Sequence, residues 1–325
     1  MNPPYKITTK ILKLTSSISN SLGNIESSFL KTPEPKLRKQ NKIKTIQATL
    51  EIEGNTLTLD QVTAVLEGKK VLGPKKEILE VKNANKLYDS ILEFKSSKVK
   101  DFLSAHKILM TSLVDSAGSF RNKNVGVLKG IEVSHIAPKP RLVPELIENL
   151  FKWIESDEIH SLVKSCIAHY EIEFIHPFED GNGRIGRFWQ SLILKEYNSV
   201  FTYIPVESLI KEHQKEYYNT LEACDKAGES TLFIEFMLQL IDECLTQYIY
   251  EHSNVNPTSI DRLMNAKDIF KGEEFSRKDY LSLYKNLSSA SASRDLKEGV
   301  ENKELKKIGK ANQTKYIFKQ ARCEQ

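Results

Sequence analysis

One stretch of twelve residues, "HPFEDGNGRIGR" at 176–187, concentrates the side chains that could do chemistry. His176 is the one group in it whose ordinary pKa suits a general base near neutrality. Asp180 is a hard oxygen donor of the kind Mg²⁺ takes, one or two carboxylates completing its shell with substrate phosphates. Gly181, Asn182 and Gly183 let backbone N–H groups converge on an anion. Asn182 adds an amide donor, and Arg184 and Arg187 can grip further phosphate oxygens bidentately. Ile185 and Gly186 carry the run into "RFWQSLILKEY", an apolar-periodic stretch, so the loop feeds a helix N-terminus and its positive dipole end. A plain turn with surface arginines and a capping histidine is the bland alternative. The number of roles packed into one string favours a nucleotide site with a base beside it.

Those residues need elements to hold them. Apolar residues recur at three- and four-residue intervals in 81–94, 99–114, 143–156, 161–175 and 231–249, and this periodicity predicts helices. Residues 119–144, rich in β-branched residues, Gly and Pro, predict a short hairpin between two of them. Polar breaks at 31–42 ("KTPEPKLRKQNK") and 252–259 ("HSNVNPTS") suggest boundaries. The expected fold class is mainly α.

The bulk numbers agree with a globular chain. It has 325 residues, 40% hydrophobic and 28% charged. No run approaches the roughly 18 consecutive apolar residues of a membrane helix, and the N-terminus lacks a signal-peptide core. Cys166, Cys224, Cys244 and Cys323 are scattered without a CxxC pair, the pattern of reduced thiols in a cytoplasmic protein. The net charge is +4, and it is uneven: residues 256–325 hold 15 Lys and Arg against 10 Asp and Glu. All the positive excess therefore lies in the C-terminal fifth, which points towards either a nucleic-acid-facing module or a solvated basic surface.

"HPFEDGNGRIGR" matches in full the signature HPFx[D/E]GN[G/K]RxxR, and the chain resembles the Fic (filamentation-induced-by-cAMP) family. "AHKILM", "VSHIAPKP", "CIAHYEIEFIHPF", "YYNTLEAC" and "TLFIEFMLQLI" follow the order of Fic helices over roughly residues 40–250. The resemblance implies a Fic-fold helical core with a short β-hairpin flap. It also implies AMP transfer from ATP, with Mg²⁺, to a Ser, Thr or Tyr hydroxyl of a target protein or of the chain itself. His176 would take the hydroxyl proton and Asp180 would hold the metal. Gly181 to Gly183 would form the anion hole, Arg184 would hold the phosphate tail and Arg187 would reach the γ-phosphate. Val133, Ser134 and His135 resemble the flap that holds a target segment as an added strand, and Tyr217 and Tyr218 resemble tyrosines beside the adenine. Where some relatives carry Asn seven residues after the second tyrosine, this chain has Asp225.

Upstream, "TLEIEGNTLT" (49–58) reads as a helix end, with Thr49 and Glu53 on one face and Gly54 at C′. It also matches the [S/T]xxxE[G/N] of Fic inhibitory helices. The resemblance implies a helix over about 43–54 whose Glu53 pairs with Arg187 and keeps ATP unproductive.

The basic tail predicts helices over "IDRLMNAKDIFKG", "EFSRKDYLSLY" with a Ser276 cap, and a third starting near Ser288 or Ser289. A hairpin around "GKANQ" follows. This order resembles the winged helix-turn-helix domains (α+β) appended to many Fic proteins. Its partner would be DNA, met by the helix with Ser291, Ser293 and Arg294, or else a protein. The expected organisation is an N-terminal helical segment at 1–95, a catalytic core at 96–250 and a winged helix at 256–325. A self-inhibited adenylyltransferase is the leading reading. Transfer of another nucleotide, removal of AMP by the same site and an ATP-sensing transcription regulator are the alternatives. Homodimers are frequent among relatives, but nothing in the sequence demonstrates one, and no membrane partner is expected.

Overall fold

The computed structural model describes residues 3–26, 35–129, 132–156, 158–253, 258–284, 287–309 and 314–319, and the side chains of 126–136, 252, 253 and 268 are not described. Its contacts divide the chain into two units, Met1–Leu22 with Lys36–Tyr248, and Gly23–Pro35 with Ile249–Gln325.

The larger unit is helical, and α1, α2 and α11 below belong to it except for residues 23–26, Pro35 and 249–253. Its elements are α1 (Thr9–Glu26), α2 (Pro35–Ile52), α3 (Leu59–Leu66), α4 (Lys75–Asp89), α5 (Val99–Met110), α6 (Val143–Glu155), α7 (Ser161–Ile175), α8 (Asn182–Tyr197), α9 (Val206–Glu212), α10 (Gln214–Ala227) and α11 (Thr231–Ser253). A hairpin, β1 (Gly126–Lys129) and β2 (Glu132–Ile136), sits between α5 and α6; it is antiparallel with a bulge between Val127 and Leu128. The expected hairpin at 119–144 is therefore present, its tip at 130–131 lying outside the described residues.

α7 is buried on nearly every face, from Leu162 through Tyr170, as a helix at the centre of a bundle must be. It packs on α8, where Ile185, Phe188, Trp189 and Leu192 have no exposure. Phe102, Phe151, Phe178 and Trp189 form the aromatic heart of this core, with Phe102 at 5.0–5.2 Å from the other three rings. Trp189 satisfies its indole N–H on the carbonyl of Ser96 at 3.0 Å, the partner a buried tryptophan needs.

One expectation shifts. The helix expected over about 43–54 runs from Pro35 to Ile52, so residues 35–42 of the expected polar link are helical. Proline is tolerated in a first turn, where its missing N–H has no partner in any case, and Lys, Arg and Gln are good helix formers. Residues 31–34 of that link lie outside the described residues. α1 falls within the expected N-terminal helical segment; its N-terminal approach is tied down by Ser230 N to Pro4 O at 2.9 Å and Lys6 N to Thr231 Oγ1 at 2.9 Å.

The smaller unit contains α12 (Ser259–Phe270), β3 (Phe275–Ser276), α13 (Arg277–Ser282), α14 (Ser289–Glu301), β4 (Leu305–Ile308) and β5 (Lys315–Phe318). Its three strands form an antiparallel sheet in the order β3-β5-β4. Ser276 and Asp279 make a reciprocal capping box, and Ser288 caps α14, both at the expected positions. The core is Leu263, Ala266, Phe275, Tyr280, Ala292, Leu296, Leu305 and Phe318. Within it Arg262 forks onto Asp295 at 2.6 and 2.8 Å, and Tyr280 O–H donates to Asp295 at 3.1 Å. A buried ion pair needs this completeness of hydrogen bonding.

Candidate active site

The chain turns sharply between α7 and α8. His176 closes α7 as a left-handed residue at φ 50°, its N–H bonded to Ile172 O at 3.0 Å. Gly181 stands at φ 85° before the first turn of α8, and a β-carbon there would lie 2.7 Å from Met110 Sδ. Only glycine fits both the angle and the space. The loop between them is pinned from three sides. Asn182, buried, accepts from Phe178 N and donates to Phe178 O, both at 2.9 Å. His106 stacks on Phe178 with ring centroids 3.5 Å apart, and its Nε2 meets Asp180 O at 2.9 Å. Gly118 N donates to its Nδ1 at 3.0 Å, so His106 is neutral with the hydrogen on Nε2. Burial pushes its pKa down to about 4.

Arg121 is the third clamp. Buried, it donates to the carbonyls of His176 (2.7 Å), Ile175 (3.3 Å), Lys123 (2.9 Å) and Pro138 (2.5 Å), while its own N–H donates to Pro177 O at 2.9 Å. It joins the base of the hairpin to the backbone of His176. Neither Arg121 nor the role of His106 was evident from sequence, because both act across more than fifty residues.

α8 begins with N–H groups that precede its first helical bond, Ile185 N to Gly181 O at 3.0 Å, which leaves a ready anion cradle at its N-terminus. A carboxylate occupies that region. Glu53 lies against Gly183 so closely that a β-carbon on Gly183 would overlap its Oε1. The same oxygen accepts from Arg187 Nη2 at 2.7 Å. Arg187 also binds α2 through Thr49, Nε to Oγ1 at 2.9 Å and Nη2 to the carbonyl at 3.0 Å. Its Nη1 is buried without a hydrogen-bond partner. Burial opposes its charge, but Glu53, Tyr217 and Glu173 outweigh that and push its pKa above the usual arginine value. Thr49 in the last turn of α2 and Glu53 directly after its end thus both meet the last arginine of the string.

Arg184 is engaged by Asp180 at 2.8 Å and by Glu80 of α4 at 3.3 Å. Glu80 in turn accepts from Asn55, just past the end of α2, at 2.9 Å. The carboxylate of Asp180 is 42% exposed, with Oδ1 taken by Gly181 N at 2.6 Å and by Arg184. It suits a hard cation that arrives with phosphates. Among the described residues no group of three His, Cys, Asp or Glu could hold a metal alone.

The remaining expected residues divide. The Asn182 amide, read as a donor to the anion, is committed to Phe178. Ile185 is a core side chain and Gly186 faces His169, its would-be β-carbon 3.1 Å from the His169 ring, so neither puts a side chain into the cradle. Tyr217 is wholly buried, while Tyr218 is 39% exposed and donates to Ile52 O at 3.3 Å. Val133, Ser134 and His135 lie on β2, alongside α10, with their side chains outside the description. Asp225 accepts from Tyr170 O–H at 2.9 Å, and nearby Glu171 is pushed up to about 7 by burial and by Asp225.

Comparison with known proteins fits this geometry. The model of the Fic/DOC family matches residues 96–194. A Fic family protein from Desulfovibrio desulfuricans G20 of known structure is 36% identical, with a TM-score of 0.74 and 98% of each chain covered. This chain belongs to the Fic family. Fic-1 of C. elegans (residues 134–508) shares the fold at a TM-score of 0.61 and 22% identity, over 75% of this chain and 74% of that one. The protein adenylyltransferase Fic of Drosophila erecta is 28% identical over 240 residues, that of Aedes aegypti 28% over 229. These alignments take in 71% and 67% of this chain, which spans only 46% and 44% of those two relatives. Among the described residues of this Fic chain, no helix is long and apolar enough to cross a membrane.

Proposed function

We propose that this Fic protein is a self-inhibited protein adenylyltransferase, moving AMP from ATP to a Ser, Thr or Tyr hydroxyl of a target protein or of itself. The observation that carries this is the Glu53–Arg187 pair laid over the first turn of α8. An acid stands where the cradle's chemistry suits a phosphate, and it holds the arginine best placed to receive one. While Glu53 is there, the end of a triphosphate meets a negative charge, and ATP binds out of line.

With Glu53 withdrawn, each residue has a part. His176, fixed by Arg121 through its carbonyl, accepts the hydroxyl proton as the oxygen attacks the α-phosphorus and pyrophosphate leaves. The first-turn N–H groups of α8 and the two arginines neutralise phosphate charge, positioning and electrostatics being the main resources of phosphoryl-type transfer. Asp180 fits Mg²⁺ as a partly exposed hard oxygen beside the cradle; bound there, the metal would supply further neutralisation of the phosphates. The β1–β2 hairpin, tied to His176 by Arg121, suits presentation of an extended target segment.

The test uses α-labelled ATP with the full chain. Glu53→Gly should label a target or the chain itself, and His176→Ala added to it should abolish labelling while ATP binding persists. Unchanged labelling in Glu53→Gly would sink the inhibitory reading, and labelling that survives His176→Ala would sink the catalytic one.

For the smaller unit, the order α12, β3, α13, α14, β4, β5 supports a winged-helix reading. A salt-dependent shift assay on duplex DNA separates its two candidate partners: no binding at low salt leaves a protein partner.

A further inference from the structure

We infer that Asn55 and Glu80 form a second latch on the site. Glu80, mounted on α4, joins Asn55 to Arg184, so the turn that ends α2 reaches both arginines of the loop: Arg187 directly through Glu53, and Arg184 through Glu80. Asn55 and Glu80 are positioning residues for the inhibitory carboxylate. The inference rests on the function proposed above and adds what keeps Glu53 in place.

The turn is built as one piece. Glu53 N and Asn55 N both donate to Leu50 O, at 3.0 and 3.1 Å, and Gly54 N donates to Glu51 O at 3.0 Å. Gly54 stands at φ 90°, the left-handed residue that this kind of helix ending takes. The backbone that carries Glu53 towards Arg187 therefore carries Asn55 towards α4.

Asn55 is buried, and its amide is fully used. Leu57 N donates to its Oδ1 at 3.1 Å, which fixes the orientation of the group. Its Nδ2 then donates to Glu80 Oε2 at 2.9 Å and to Glu77 O at 3.3 Å. Glu80, buried as well, gives its other oxygen to Arg184 Nη1 at 3.3 Å. A carboxylate can accept from both partners; a carboxamide would turn an NH₂ group towards one of them. One residue on, Glu77 accepts from Thr56 N at 2.6 Å and from Thr56 Oγ1 at 2.8 Å, so α4 grips two successive residues of the turn.

What stays and what leaves follows from the anchoring of α4. Val81, Ala84 and Leu87 have no exposure, and Asn83 donates to Leu109 O at 3.1 Å and Thr111 O at 2.8 Å, at the end of α5. Met110, between those two, is the residue that Gly181 packs against. Glu80 therefore stays with the loop when the turn moves, and Asn55 goes with the turn. The bonds of Asn55 to Glu80 and Glu77 exist only while the turn is docked, and they favour the docked form by their own strength.

The experiment measures ATP affinity by calorimetry and transfer from α-labelled ATP on the full chain, for Asn55→Ala and Asn55→Asp with and without Glu53→Gly. Asn55→Ala should tighten ATP binding and raise basal transfer about tenfold, the weight of a hydrogen bond to a charged group. Asn55→Asp keeps the acceptor for Leu57 N but sets an acid against Glu80, and should do at least as much. In Glu53→Gly neither change should alter affinity, because the carboxylate that the latch holds in place is gone. In Glu80→Gln, Asn55→Ala should add less than it does in the parent chain, the mark of a direct coupling. A lower urea midpoint with unchanged ATP affinity in both Asn55 variants would overturn the latch, and Glu53 would then swing out as a side chain alone. Equal gains with and without Glu53 would overturn it too, as would additivity with Glu80→Gln. Where Glu53→Gly tightens ATP binding but transfers nothing, the transferase reading fails, and the affinities alone decide the latch.

Discussion

Gly183 and Glu53 make a contact that no other residue at 183 would allow, since a β-carbon there would overlap Glu53 Oε1. The absence of a side chain at Gly183 thus gives Glu53, just past the end of α2, the room it uses to lie against the cradle and meet Arg187. Gly183→Ala should therefore free the site much as Glu53→Gly does, while leaving every backbone N–H of the cradle in place. The check is a double-mutant cycle on ATP affinity: each change alone should tighten binding, and the pair should be clearly less than additive. Additive effects would mean that the two residues act apart.

Arg121 holds four carbonyls around the turn, and charged donors to buried acceptors contribute about 1.5–3 kcal/mol each. Arg121→Ala should cost at least about 3 kcal/mol of stability, seen as a lower urea midpoint. In a Glu53→Gly chain it should also reduce transfer, because the carbonyl of His176 loses its anchor. A variant of normal stability would show that the clamp is dispensable.

His106 gives a pH dependence with a definite sign. Its folded pKa is about 4, below the unfolded 6.5, so the protein loses stability as pH falls from about 6.5 towards 4. The loss for this one group approaches 1.4 kcal/mol per pH unit. His106→Phe would retain a ring against Phe178 while stranding Gly118 N and Asp180 O, so it should be less stable at pH 7 but show a shallower decline in acid. Urea unfolding of both proteins between pH 7 and 4.5 makes the comparison; parallel curves would refute it.

In the smaller unit Asp295 is buried against Arg262. Asp295→Ala removes two guanidinium hydrogen bonds and the acceptor of the Tyr280 hydroxyl, a loss of about 3–5 kcal/mol for a buried pair. Chemical denaturation should then show this unit unfolding first, reported by loss of its tyrosine environment at Tyr280. A single unchanged transition would contradict that.

What could be read from the chain was whatever its chemistry kept local. "HPFEDGNGRIGR" names its family because the loop's needs are met within twelve residues, and Gly54, Ser276 and Ser288 mark helix ends for the same reason. The two-residue strand β3 is too short to have a period, and it exists only because β5 offers it an edge. Arg121, His106 and Glu80 were missed, or given no role, because their partners lie more than fifty residues away and meet them only through tertiary packing. Asn182 was read as a ligand because its type fits one; only the fold reveals that Phe178 claims it.

The grip of Arg187 on Thr49 and Glu53 has an implication for how long the protein lasts. Withdrawing α2 takes three hydrogen bonds and a countercharge from a guanidinium that is 1% exposed. On the proposed function, the conformation in which Glu53 holds Arg187 is both the inhibited and the sturdier one. A switched-on molecule should melt earlier, resist proteases less well, and recover its robustness only while nucleotide fills the gap. An adenylyltransferase inhibited in the proposed way would limit its own working life: once its substrate runs low, the active form would be the first to be cleared.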